Sequence, residues 1–173
     1  MTQAFRTLQV IVSAVMGTVV VLGAVVYVAL GSVDPWAMPP VWVLPVVVVM
    51  GVSAALITYA MNTQLPRLDP TAPRSQTNAF GPFQANTILK MATAEMVALV
   101  ALVLAFLVDE GSLLTYVVGA AISLVILATL VLPTRSVIAR AEQQMDSAGG
   151  RSHLLELSGL EPWSGDHSDN PNH

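Results

Sequence analysis

Four apolar stretches, each about as long as a bilayer is thick, constrain the fold of this chain more than any other feature. A hydrocarbon core of about 30 Å needs about 20 mostly apolar residues of α-helix to cross it. The stretches lie at about 8–30, 41–61, 88–108 and 113–132. Only the third contains charged residues, Lys90 and Glu95. The sequence therefore predicts an all-α, polytopic membrane protein with four transmembrane helices.

The composition supports this interpretation. Hydrophobic residues make up 54% of the 173 residues and charged residues only 10%, against about 25% charged in an ordinary soluble domain. One water-soluble core of this size could not bury so much apolar surface, so lipid must cover much of it. The predicted partners are the lipid bilayer and other membrane-protein subunits, with no nucleic acid.

The connections predict how the spans are arranged. Spans three and four are separated only by DEGS, and we expect the four spans to form two antiparallel hairpins. The predicted domains are a transmembrane domain at 1–133 with a cytoplasmic loop at 62–87, a cytoplasmic helical extension at 134–163 and a disordered tail at 164–173. In the extension, Val137, Ile138, Ala141 and Met145 recur at helical spacing. This pattern predicts a cytoplasmic amphipathic C-terminal helix, which either continues span four or bends along the headgroups.

The basic residues predict the orientation in the membrane. All of them fall before span one, between or just inside spans two and three, or after span four: Arg6, Arg67, Arg74, Lys90, Arg135, Arg140 and Arg151. The other two loops contain only acidic residues, Asp34, Asp109 and Glu110. The positive-inside rule then places both termini in the cytoplasm. We expect a multi-pass protein of the bacterial cytoplasmic (inner) membrane.

Glu95 is the one ionisable residue well inside a span. A carboxyl group at membrane depth is costly and is a functional candidate by default. It lies at the edge of a stripe of small residues that favours close helix packing: Ala94, Ala98, Ala101 and Ala105. Three interpretations remain open: a carboxyl group that fixes helix contacts, a proton- or ligand-binding group, or a side chain that reaches the headgroups. Its expected hydrogen-bond partners are Ser53, Thr58 or Tyr59 of span two, or Arg74.

Small residues spaced four apart also occur in spans one, two and four. The pairs are Ser13–Gly17, Gly51–Ala55 and Gly119–Ser123. Such pairs let helix backbones approach closely, and they favour a packed bundle.

The proline-rich central loop contains the candidate partner contacts. It includes the segment AFGPF, with Phe80 and Phe83, and the cation Arg74. A surface linker is one interpretation, because such stretches resist packing. The other is that the two rings fold back on the membrane surface or contact a partner, since apolar rings are rarely left in water.

Missing residue types exclude several kinds of chemistry. The chain has no cysteine, which excludes disulfides, thiolate metal sites, iron–sulfur clusters and c-type haem. Its three histidines, His153, His167 and His173, all follow span four, so no span supplies a histidine ligand for a b-type haem. No nucleotide-binding loop or hydrolase motif is present. We expect no cofactor, no metal site and no catalytic residues, and thus no enzyme.

Two resemblances arise from the spans. As a whole, the chain resembles the many small four-span integral membrane proteins of high-GC, actinobacterial organisms, since its spans are rich in Ala and Val. The stretch AEMVALVALVLAFL is similar to the outer helix of the rotor-ring subunit of rotary ATP synthases. That family has a glycine-rich first helix, whereas span one contains only Gly17 and Gly23, and no function is transferred.

These observations lead to two functional hypotheses. The first is a non-catalytic accessory or assembly subunit of a larger bacterial membrane complex, with a respiratory or energy-converting complex as the host. The alternative is a homo-oligomeric pathway for protons or a small solute that uses Glu95.

Overall fold

A computed structural model describes residues 3–30, 37–61, 65, 80–108, 112–148 and 154–158 of the chain. These residues form α-helices and contain no β-strand. The helices are α1 (Gln3–Leu30), α2 (Val43–Ala60), α3 (Phe80–Leu107), α4 (Ser112–Ile126), α5 (Arg135–Met145) and α6 (Leu154–Ser158). A π-helical turn, Leu127–Val131, follows α4, and a 3₁₀ turn, Asp146–Ala148, follows α5. The predicted all-α class is confirmed.

Four of the helical segments are long and apolar enough to cross a membrane. They are α1, α2, α3 and the continuous segment Leu113–Val131, which joins α4 to the π-helical turn. This confirms the four predicted spans, and the chain is an α-helical membrane protein. The predicted disordered tail at 164–173 lies outside the described residues.

Helix α3 begins earlier than the sequence predicts. The loop was expected to reach residue 87, yet the helix starts at Phe80. Pro82 lies in the first turn of α3, where its missing N–H would have no helical partner in any case. A proline in this position is therefore compatible with a helix start, and the segment AFGPF begins α3 instead of ending the loop.

The α3–α4 pair forms the centre of the bundle. These two helices make the most extensive packing contact, α2 packs on both of them, and α1 packs mainly on α4 and also on α3. Contacts between α1 and α2 are few. The predicted arrangement as two antiparallel hairpins stays a prediction, and the packing supports it best at α3–α4.

Small residues let the backbones of this centre approach closely. A Cβ atom added to Gly119 would overlap Ala101 Cβ and would lie 3.5 Å from Val47 Cγ1, so α2, α3 and α4 meet at this point. A Cβ atom at Gly51 would lie 2.5 Å from Ile122 Cγ2. The predicted close approach is confirmed at these two glycines. It is absent at Gly17, around which no atom lies within 4 Å of such a Cβ.

Two hydroxyl groups tie α4 to its neighbours. Tyr116 Oη donates a hydrogen bond of 2.6 Å to Val19 O of α1, and its ring lies against Gly23, 3.2 Å from a Cβ atom built there. Ser123 Oγ donates a hydrogen bond of 2.8 Å to Ala94 O of α3. Both hydroxyl groups are buried, and interhelical hydrogen bonds of this kind in membranes are worth roughly 0.6–1.7 kcal/mol.

Candidate functional site: the Glu95 flank of α3

The alanine stripe of α3 is the surface beside which Glu95 lies. The side chains of Ala94, Ala98, Ala101 and Ala105 are all 2% exposed or less. Their small size lets α4 approach closely enough for Ser123 to reach a backbone carbonyl of α3. The predicted packing role of the stripe is confirmed.

Glu95 lies at the edge of this stripe and is half-buried. At about 100° per residue, it is about 40° from Met91 and about 20° from Leu102 around the helix. Leu102 packs against a cluster that contains Val19 and Val26 of α1 and Tyr116 of α4, whereas the cluster beside Met91 contains residues of α1, α2 and α4. Glu95 is therefore on the side of α3 that faces α1 and α4.

Helix α2 lies along the opposite flank of α3. Thr93, Met96 and Val97 of α3 line a groove of about 300 Å³ together with residues of α2. Thr93 and Val97 are each about 160° from Glu95 around the helix. Span two was among the expected sources of a hydrogen-bond partner for Glu95. In the structure, α2 instead packs on the flank of α3 opposite to Glu95.

The hydrogen bonds of the expected partners agree with this correction. Ser53 Oγ donates to Val49 O of its own helix, at 2.8 Å. Thr58 is fully buried, but its hydroxyl has no hydrogen-bond partner among the described residues, and Tyr59 is 61% exposed. Arg74 lies outside the described residues. Within the part of the chain that the structure describes, none of the hydrogen bonds ends on the Glu95 carboxyl group.

Lys90 is a buried cation that the sequence did not single out. It is only 4% exposed, whereas the sequence predicted only a position just inside span three. The spacing of Lys90 in the sequence indicates its burial. Lys90 precedes Ala94 by four residues and therefore lies on the same face of α3 as the buried stripe. Burial of Lys90 places a polar group within the helix packing near the start of span three.

Phe80 and Phe83 pack inside the chain. Phe83 is 3% exposed, and its ring centroid lies 5.6 Å from that of Phe5 in α1. The ring of Phe80 is partly buried against a cluster of side chains that includes Phe5 and Phe83. Its centroid lies 5.0 Å from that of Phe5. The structure thus gives both rings an intramolecular role, while Arg74, the third expected partner contact, is outside the described residues.

The cavities along the spans offer little for chemistry. One cavity, of about 410 Å³, lies between α2 and α4 and is lined only by aliphatic residues and glycine: Val48, Gly51, Val52, Ala55, Ala121, Ile122, Val125 and Ile126. Among the described residues, no three His, Asp or Glu side chains cluster so that they could bind a metal ion. Near the middle of the described spans, the ionisable candidate therefore remains Glu95.

Comparison with known proteins found no match, either to a family, to a curated protein or to a solved structure. The class of the protein consequently rests on its fold: an α-helical membrane protein with four helices able to span a bilayer.

Proposed function

We propose that this protein is a non-catalytic accessory or assembly subunit of a larger bacterial membrane complex, with a respiratory or other energy-converting complex as the host. The observation that carries the proposal is the Glu95 carboxyl group. It is half-buried on a flank of α3, and its expected partners in α2 lie on the other flank.

The energetics of the membrane explain why this observation points outside the chain. An ionisable group at membrane depth is stable only when it meets a polar partner or a water-filled cavity. The hydrogen bonds of the described residues do not supply that partner, and the groove between α2 and α4 is apolar. A helix of another subunit, packed beside α1 and α3, would supply a donor to Glu95.

The rival proposal is a homo-oligomeric pathway for protons or a small solute. The same half-exposed carboxyl group favours it, because a copy of the chain packed on this flank would enclose Glu95 at a subunit boundary. Native mass spectrometry of the protein extracted in mild detergent distinguishes the two. Foreign subunits that co-purify in fixed ratio support the accessory role, and a homogeneous self-oligomer supports the pathway.

The finer architecture belongs to the same proposal. The spans would form two antiparallel hairpins in the bacterial cytoplasmic (inner) membrane, with both termini in the cytoplasm. Helix α5 would be a cytoplasmic amphipathic helix. Two observations support its amphipathic character: it buries Val137, Ile138, Ala141 and Met145, and Arg140 is exposed.

Substitutions of Glu95 test its role. Glu95→Gln keeps the shape and the hydrogen-bonding capacity of the side chain, so the assembled complex should be recovered at the wild-type level. Glu95→Leu strands the polar group of the partner helix, which we expect to weaken assembly by roughly 1–2 kcal/mol. The measurement is the yield of intact complex from native membranes.

The matched control is Met96→Leu, at a neighbouring position of α3 that is 54% exposed, and it should leave assembly unchanged. Proton flux into reconstituted vesicles gives the second readout. A Glu95→Gln protein that assembles normally but loses a proton flux present in the wild type would refute the accessory role and support the pathway, because glutamine cannot ionise.

Labelling of introduced cysteines tests the proposed orientation. The chain has no cysteine of its own, so each variant has a single reactive thiol. Met38→Cys, at a position 77% exposed between α1 and α2, should react in intact cells with a maleimide that cannot cross the membrane. Gln143→Cys, on the exposed side of α5, should react only after the cells are lysed. The opposite pattern would invert the topology.

A further inference from the structure

Helix α5 packs on the ends of two spans, through a group of side chains that we call the Phe5 cluster. Its members come from α1, from the central loop, from the start of α3 and from α5 and α6: Phe5, Leu8, Leu65, Phe83, Ile138, Ala141, Met145 and Leu154. All are 4% exposed or less. The cluster therefore joins the C-terminal helices to the N-terminal ends of α1 and α3.

The chain is sharply interrupted between α4 and α5. The π-helical turn ends where Leu132 N donates to Leu127 O at 2.8 Å, and Leu132 has an extended ψ of 125°. Pro133 favours that extended conformation in the residue before it. Thr134 is also extended, with φ −81° and ψ 162°. Rotation about these three residues would reorient α5 without breaking a helix, so Leu132–Thr134 has the form of a hinge.

Helices α5 and α6 pack against each other more extensively than against the spans. Leu155 N of α6 donates a hydrogen bond of 2.8 Å to Glu142 Oε2 of α5, and the two helices pack side by side. A helix as short as α6 is not stable alone, so this contact with α5 holds it in place. The approach of α5 to the spans, by contrast, is made mainly by side chains such as Ile138 and Met145.

We propose that α5 and α6 form a hinged cap that exchanges between the Phe5 cluster and the adjacent surface of the bilayer. An amphipathic helix can bury its apolar side in a membrane interface, so the side chains that leave the cluster remain out of water. The exposed Arg140 would face anionic headgroups, which attract basic residues close to the membrane. Of the nearby acidic residues, Glu142 accepts the hydrogen bond from Leu155 N and Asp146 is half-buried. Both positions of the cap bury the same apolar face of α5, whereas the closed position also covers the rings of Phe5 and Phe83, so the closed form is the major one.

Opening of the cap has a consequence for the rest of the chain. It uncovers the rings of Phe5 and Phe83, which the closed cap buries, beside the ends of α1 and α3. The device therefore controls access to the apolar surface at one end of the bundle, and it depends on neither the accessory role nor the pathway role of Glu95.

Distance measurements between two spin labels test the exchange. The labels are placed on Thr7→Cys and Gln143→Cys, both at exposed positions, in a chain with no other cysteine. In phosphatidylcholine nanodiscs we expect a major short distance and a minor long one. Adding phosphatidylglycerol should increase the long-distance population, and Arg140→Gln should remove that increase.

Ile138→Ala should shift the ratio of open to closed cap about tenfold toward the open form. The reason is that a fluid bilayer closes around a shortened side chain, whereas the packed cluster retains a cavity. The matched control is Ile11→Ala, at a position of α1 that is 38% exposed, and it should leave the ratio unchanged. Circular dichroism checks that both variants keep their helix content.

One short distance in both lipid compositions, unchanged by phosphatidylglycerol in the wild-type chain, would overturn the proposal. The lipid comparison needs no core substitution, so it decides the question even if Ile138→Ala does not fold.

Discussion

Gly119→Ala is expected to lower the free energy of unfolding by about 1–3 kcal/mol, which is the usual range for overpacking a tight contact. The added methyl group would overlap Ala101 Cβ of α3 and would meet Val97 O at 3.4 Å and Val47 Cγ1 at 3.5 Å. Neither Ala101 nor a backbone oxygen has a flexible end that can move aside, so α4 must shift away from α3. Unfolding in detergent micelles with increasing dodecyl sulfate, followed by circular dichroism, measures the loss.

Two further variants make this result specific. Gly119→Ala combined with Ala101→Gly removes the overlapping methyl group and should recover at least half of the lost stability. Gly17→Ala serves as the matched control, because nothing lies within 4 Å of the added atom, and its higher helix propensity should leave stability equal or slightly higher. If Gly119→Ala were as stable as the wild type, α3 and α4 would not approach as closely as described.

Phe83→Ala is expected to lower the free energy of unfolding by about 3–4 kcal/mol, as is typical for a buried aromatic side chain. The ring is 3% exposed and lies beside that of Phe5, so its removal leaves a cavity within the Phe5 cluster. The same unfolding experiment measures the effect in the isolated protein.

The control is Phe106→Ala, in the same helix but 57% exposed, which should change stability little. The comparison also distinguishes the two roles considered for Phe83. A ring that mainly contacts a partner protein would leave the stability of the isolated chain unchanged when it is removed, and that result would contradict the intramolecular role.

The spans and the alanine stripe could be predicted from the sequence because they depend on local patterns. Length and apolarity alone predict a membrane span, and a spacing of three or four residues places side chains on one face of a helix. This is why Ala94 and Ala105, eleven residues apart, were assigned to the same face. Lys90 obeys the same spacing, but the sequence analysis used it only as one of the basic residues that predict the orientation.

The start of α3 was predicted less well, because Pro82 is compatible with two different positions relative to a helix. Proline ends a helix from inside but is readily accepted in its first turn, and a sequence pattern does not say which applies. In the structure, Phe80 and Phe83 pack against Phe5, and this contact with a residue far away in the chain favours the helix over an extended loop.

The sequence by itself determined that the chain is helical, which segments are apolar enough to span a membrane, and which face of α3 is small. Only the tertiary structure decided which helix packs on which flank. Periodicity places Glu95 at the edge of the stripe, but both edges are equivalent until the neighbouring helices are in position. The structure put α2 beside Thr93 and Val97 and left Glu95 on the side of α1, because the assignment of flanks depends on contacts between segments distant in the chain.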